Sequence, residues 1–99
     1  MLNISKTIDE GKALFVLEGR LDTETSPDLD KEVLECPEDV TELRMDFEKL
    51  DYISSAGLRV LLTAQKIMRN RGSFVVCNVN EIVMEIFEVT GFSDILTIE

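Results

Sequence analysis

Hydrophobic and polar residues alternate along Leu2-Asn3-Ile4-Ser5-Lys6-Thr7-Ile8, the period of a half-buried strand. Asp9-Glu10-Gly11 reads as a turn, and the apolar run from Lys12 to Leu17 as a second strand, so the chain opens with an antiparallel hairpin. Gly19 is expected to break that second strand. The segment Asp22-Thr23-Glu24-Thr25-Ser26-Pro27 is dense in capping residues, with a proline where an early helical position tolerates one. Leu29, Val33 and Leu34 then keep helical spacing until Cys36-Pro37 stops the helix. Glu42 to Phe47 alternates as a third strand. Ser55 through Asn70 is the longest periodic stretch, with Leu58, Leu61, Leu62, Gln65 and Met68 on one helical side and Gly72 as its C-terminal stop. Ser73 to Val79 reads as a strand buried on both faces. A third helix is predicted over Glu81 to Thr90, capped by Asn80 and ended by Gly91, with Ile82, Val83, Ile86, Phe87 and Val89 inside. Phe92 to Ile98 offers a last short strand.

The predicted order is β-β-α-β-α-β-α-β. Alternation of strand and helix after the hairpin implies parallel pairings with right-handed crossovers. The expected class is therefore α/β: one mixed sheet with helices packed on it, as a single domain over residues 1–99, a length that supports one core. There is no internal repeat, linker or low-complexity segment.

Composition narrows the chemistry. An apolar fraction of 44% beside 30% charged residues is that of a globular chain. No apolar run is long enough to span a bilayer, and the N-terminal residues lack the pattern of a secretory signal, so a cytoplasmic location without membrane insertion is expected. The formal net charge of −10 argues against a nucleic-acid partner, which needs a cationic face, and favours a monomer when free. The charge is uneven: no acid lies between Asp51 and Glu81, where Arg59, Lys66, Arg69 and Arg71 fall. Cys36 and Cys77 share no metal-binding spacing and read as free thiols, Cys77 on a core strand. With no histidine, neither a Ser-His-Asp nor a Cys-His triad can be built, and the common nucleotide-binding glycine loops are missing. Enzymatic activity, a metal site and a cofactor are accordingly not expected.

One segment stands out: Asp51-Tyr52-Ile53-Ser54-Ser55-Ala56-Gly57-Leu58-Arg59. A strand-like approach runs into two serines, a small residue and a glycine, and the longest helix starts at once. A hydroxyl at a helix mouth caps the helix. It is also a favourable place to add a phosphate, because free backbone N–H groups and the helix dipole favour an anion there.

This segment resembles the phosphoacceptor motif of the bacterial anti-sigma factor antagonists, small members of the STAS-domain family. The resemblance runs nearly end to end: the opening hairpin, then Gly19-Arg20-Leu21-Asp22-Thr23-Glu24-Thr25, the strand Leu43 to Phe47, Leu50 to Leu58, Gly72 to Cys77, and Val89-Thr90-Gly91-Phe92. The family motif reads Met/Ile-Asp-Ser-Ser/Thr/Ala-Gly-Leu. Here Ile53 stands first, Ser54 replaces the aspartate, Ser55 takes the phosphoacceptor place, and Ala56, Gly57 and Leu58 follow. The resemblance implies phosphorylation at Ser55, with Ser54 as a second acceptor, and a partner surface of Asp22, Thr25, Ser54, Ser55, Ala56, Gly57, Leu58 and Arg59. Asp22 and Thr25 equally suit caps of the first helix. The implied partners are an anti-sigma factor that is also a serine kinase, and a serine protein phosphatase that resets the switch. The alternative is a STAS binding subunit of a transport or other regulatory complex that no kinase touches.

Overall fold

The computed structural model describes all residues 1–99. Strands β1 (Leu2–Asp9) and β2 (Lys12–Leu21) form the antiparallel hairpin, closed by Glu10 and Gly11, both in the left-handed region. Helix α1 (Ser26–Leu34) leads to β3 (Glu42–Ile53), α2 (Ser55–Arg69) to β4 (Ser73–Cys77), and α3 (Glu81–Thr90) through a 3₁₀ turn (Phe92–Asp94) to the two-residue β5 (Thr97–Ile98). The five strands lie in chain order, β2 to β5 parallel. Right-handed crossovers that advance in one direction leave all three helices on one face of the sheet.

That face holds the core. Phe15, Leu17, Met45, Phe47, Leu61, Val76 and Phe87 are all closed to solvent, and the rings of Phe47 and Phe87 meet at 6.3 Å between centroids. The opposite face carries half-buried Leu14 and Val16 with charged neighbours, among them the Arg44–Glu99 ion pair at 3.0 Å. Both cysteines are buried free thiols.

Four expectations about the strands need correction. Gly19 does not end β2; it sits inside the strand at φ +112°, beside a register shift, and the strand runs on to Leu21. Strand β3 does not end at Phe47 but extends to Ile53. It carries two more residues than β2 between Val16↔Asp46 and Arg20↔Tyr52, so Glu48 and Lys49 both face solvent and the alternation breaks without the strand stopping. Strand β4 stops at Cys77 because Asn78 turns to φ +56°. The stretch from Phe92 is mostly a 3₁₀ turn, and only Thr97 and Ile98 pair with β4.

The inner side of α3 is also narrower than the pattern suggested. Val83 and Phe87 are fully buried, whereas Ile82 and Val89 are 61% and 81% exposed. Gly72 follows α2 for a reason other than a left-handed cap. A Cβ there would lie 1.8 Å from the Thr41 carbonyl oxygen, so only glycine lets the α2–β4 turn pass the start of β3.

Candidate functional site

Parallel strands of unequal length shape the site. Strand β4 ends opposite Asp46, while β2 and β3 run on together to Leu21↔Ile53. The β2–β3 tip therefore stands beyond the rest of the sheet, and its two exits carry the Asp22–Thr25 turn and the Ser54–Ser55 entry to α2. The Ser54 amide donates to the Leu21 carbonyl at 2.9 Å and ties the exits together.

Each exit has its own polar lock. Asp22 Oδ1 accepts the amides of Glu24 and Thr25, both at 3.0 Å. Thr25 Oγ1 accepts the Asp22 amide at 2.9 Å and donates to the Arg20 carbonyl at 2.8 Å. The Ser26 hydroxyl and amide both donate to the Asp22 carbonyl. These donors hold the Asp22 carboxyl below the usual carboxylate range, the Thr25 amide first among them. The expectation that Thr25 caps α1 fails in its detail: Thr25 occupies the cap position, but its side chain bonds the turn and not the helix. Asp22 caps the turn that delivers the helix.

At the second exit the two serines divide. Ser54 is the N-cap of α2, with extended backbone and a side chain that accepts the Gly57 amide at 3.4 Å. Ser55 is the first helical residue; it is exposed, and its hydroxyl makes no hydrogen bond within the chain. No acid stands in the first turn of α2. Ala56 is half-buried and Arg59 exposed. Gly57 and Leu58 are buried: Leu58 packs in the core, and a Cβ on Gly57 would meet Ile53 Cγ1 and Leu21 Cγ at 2.8 Å. Within the expected partner stretch these two residues set the height of the helix on the strand ends, while Ser55 and Arg59 face outward. A groove of about 310 Å³ runs beside them, between Pro27 and Asp30 of α1 and Ala56, Arg59 and Thr63 of α2.

The structure adds two residues that sequence reasoning missed. Arg20 and Tyr52 are register partners, and the Arg20 guanidinium lies 4.5 Å from the centre of the Tyr52 ring. Arg20 Nε is also 3.8 Å from Asp22 Oδ2, so a cation braces the first turn from the helix-free side. Only the irregular β2–β3 register brings this pair together, and no spacing along the chain encodes it.

The tip thus combines a rigid turn, an exposed helix-initiating hydroxyl and an unpaired arginine one turn later. It offers a surface for another protein and a place for an anion; no general acid, base and nucleophile converge there. No helix is long and apolar enough to cross a membrane.

Comparison with known proteins agrees with this arrangement. The STAS domain description matches residues 3–99. BtrV of Bordetella bronchiseptica, provisionally named an anti-sigma factor antagonist, is 37% identical over 92 residues, covering 90% of this chain and 78% of that one. The anti-sigma-B factor antagonist of Listeria monocytogenes is 34% identical over 105 residues, covering 99% and 90%. Among solved structures, the Bacillus anti-sigma factor antagonist SpoIIAA superposes with TM-scores of 0.76 in its unphosphorylated form and 0.75 in its phosphorylated form. Its sequence identity to this chain is 15% and 16%, over 100% of this chain and 87% and 91% of those chains. At that identity the likeness is one of fold. The match over residues 3–99 and the two close relatives settle the membership: this chain belongs to the STAS-domain family.

Proposed function

We propose that this protein is an anti-sigma factor antagonist whose binding to an anti-sigma factor with serine-kinase activity is ended by phosphorylation of Ser55. The observation that carries the reading is the division of labour at α2. Ser54 is engaged as the cap, and Ser55 stands exposed with a free hydroxyl on a rigid two-loop surface. The names of the relatives support the first half of the reading, and SpoIIAA, solved in a phosphorylated form, supports the second.

The energetics favour a switch that leaves the fold alone. A phosphate adds a charge of about −1.5 to −2. On the free domain it meets solvent and the positive end of the α2 dipole, an interaction worth about 0.3–1 kcal/mol in its favour. Inside a packed interface that offers the dianion no matching cation, the same charge is desolvated at a greater cost. A penalty of about 2.8 kcal/mol weakens binding a hundredfold. The domain is thus a ligand whose charge is edited by its own partner; a phosphatase restores it, and the domain catalyses nothing.

The test is direct. The purified protein is incubated with its cognate kinase and ATP, the modified residue located by tandem mass spectrometry, and binding measured by calorimetry. A single phosphate on Ser55 is expected. Ser55→Asp should fold normally and bind at least about a hundredfold more weakly, and Ser55→Ala should bind and never be released. Phosphate on Ser54 would move the switch by one residue. No phosphate at all would leave the tip as the docking surface of an unmodified STAS subunit.

A further inference from the structure

Helix α3 holds more apolar surface than the core uses. Its buried side is Val83 and Phe87, both closed to solvent. Ile82, Ile86 and Val89 form a second stripe at i, i+4 and i+7, with Ile82 61% and Val89 81% exposed and Ile86 half-buried. With Glu85 and Thr90 they line a shallow groove of about 290 Å³. Helical geometry sets Glu81, Glu85 and Glu88 along one side of this stripe, and none of the three forms an ion pair. No lysine or arginine occurs anywhere from Gly72 to Glu99, which also holds Asp94 and Glu99.

We infer that the outward stripe of α3 is a docking surface for an apolar segment of another protein flanked by lysine or arginine. Charge selects this occupant. Two α3 stripes packed face to face would set glutamates against glutamates. A second copy offers no matching stripe. Helix α2, which carries the exposed cations Arg59, Lys66 and Arg69, has no large exposed hydrophobic side chain. The exposed hydrophobics near lysines, Leu34 one turn after Lys31 and Ile8 near Lys6 and Lys12, stand singly with acids beside them. An anionic membrane or a nucleic acid would be repelled by the same three carboxylates. A basic-flanked amphipathic segment buries the stripe and neutralises its edge together. The surface shares no residue with the Ser55 site and does not depend on phosphorylation.

The experiment is a titration of the isotope-labelled full chain, followed by NMR, with three synthetic helical peptides of equal length: Leu/Lys amphipathic, Leu/Glu amphipathic, and Ser/Lys. The Leu/Lys peptide should shift the amides of residues 81–90. The Leu/Glu peptide should not bind, and the Ser/Lys peptide should bind at least about tenfold more weakly. Ile82→Gln with Val89→Gln should weaken the Leu/Lys peptide at least about tenfold. Both positions are exposed, so the melting temperature should hold. Glu85→Lys with Glu88→Lys should also lose the Leu/Lys peptide and gain the Leu/Glu one. Three results would overturn the inference: shifts spread over acidic surfaces elsewhere, equal binding of the Ser/Lys peptide, or α3 shifts that follow protein concentration without peptide, which would make a second copy the occupant. No kinase enters the titration, so its failure leaves the Ser55 reading untouched.

Discussion

At the scale of single residues, two adjacent serines do different work because one lies outside the helix and the other inside it. Ser54 has extended backbone and points its oxygen at the Gly57 amide; Ser55 is already helical and points away. Ser54→Ala therefore removes a cap and should cost about 0.5–1 kcal/mol of stability, visible in urea unfolding, while phosphorylation at Ser55 persists. If Ser54 were the acceptor, the same variant would abolish phosphorylation with the same small change in stability. Asp22 gives a prediction in pH. Its folded-state carboxyl sits below its ordinary value of 3.8, so the charged form is the one that the fold favours. Such a group contributes stability above its unfolded value and loses it as the pH falls through the folded one. The melting-temperature gap between wild type and Asp22→Asn should be widest near neutrality and close below about pH 4. A gap that holds constant into acid would mean that the Thr25 and Glu24 amides do not depend on the charge of Asp22.

At the scale of elements, the legible parts were those with strong periodicity and local punctuation. The periodicity predicts α2 over Ser55 to Asn70, and the helix runs Ser55–Arg69; α3 lies at Glu81–Thr90, the span its pattern predicts. The errors came where pairing with a neighbour decides the outcome. Gly19 looks like a breaker because a glycine in a strand weakens it, but both flanking ladders hold it in place. Glu48-Lys49 looks like an end because a bulge interrupts alternation. Ile82 and Val89 look like core because apolar residues at helical spacing carry no mark of which stripe the sheet will cover. In the site, the two serines and the Asp22–Thr25 pair were visible as types in order; the Arg20–Tyr52 stack and the Ser54–Leu21 hydrogen bond exist only through the β2–β3 register. Gly57 shows how tightly elements meet there. Alanine favours a helix over glycine by about 0.8–1 kcal/mol, but its Cβ would press on Ile53 and Leu21 at 2.8 Å, and overpacking costs about 1–3 kcal/mol. Gly57→Ala should therefore be less stable than wild type by about 1 kcal/mol and should bind the partner more weakly, because α2 must lift away from the tip. Equal or greater stability in chemical denaturation would show that the tip yields.

At the scale of the whole molecule, charge is segregated. The acids that give a net −10 include every charged residue after Arg71, whereas the middle of the chain from Tyr52 to Asn80 carries only cations. Self-repulsion in the acidic regions destabilises the compact state, and salt screens it. Raising ionic strength from about 0.01 M to 0.15 M shortens the screening length from about 30 Å to 8 Å, and the melting temperature should rise by a few degrees across that range. A fall would mean that attractive contacts, such as the pairs Lys6–Glu32 and Arg44–Glu99, outweigh the repulsion. The hydrogen bond from the Ser54 amide to the Leu21 carbonyl has a consequence for any enzyme that acts on Ser55. Many modifying enzymes thread an unfolded stretch of substrate through a cleft. Here the hydroxyl is fixed between a strand pair and a helix, and it cannot be drawn out without parting β2 from β3. An enzyme that phosphorylates Ser55 would therefore have to recognise a shape and not a string of letters, and a short peptide copied from residues 50–60 would be a poor substitute for the folded domain.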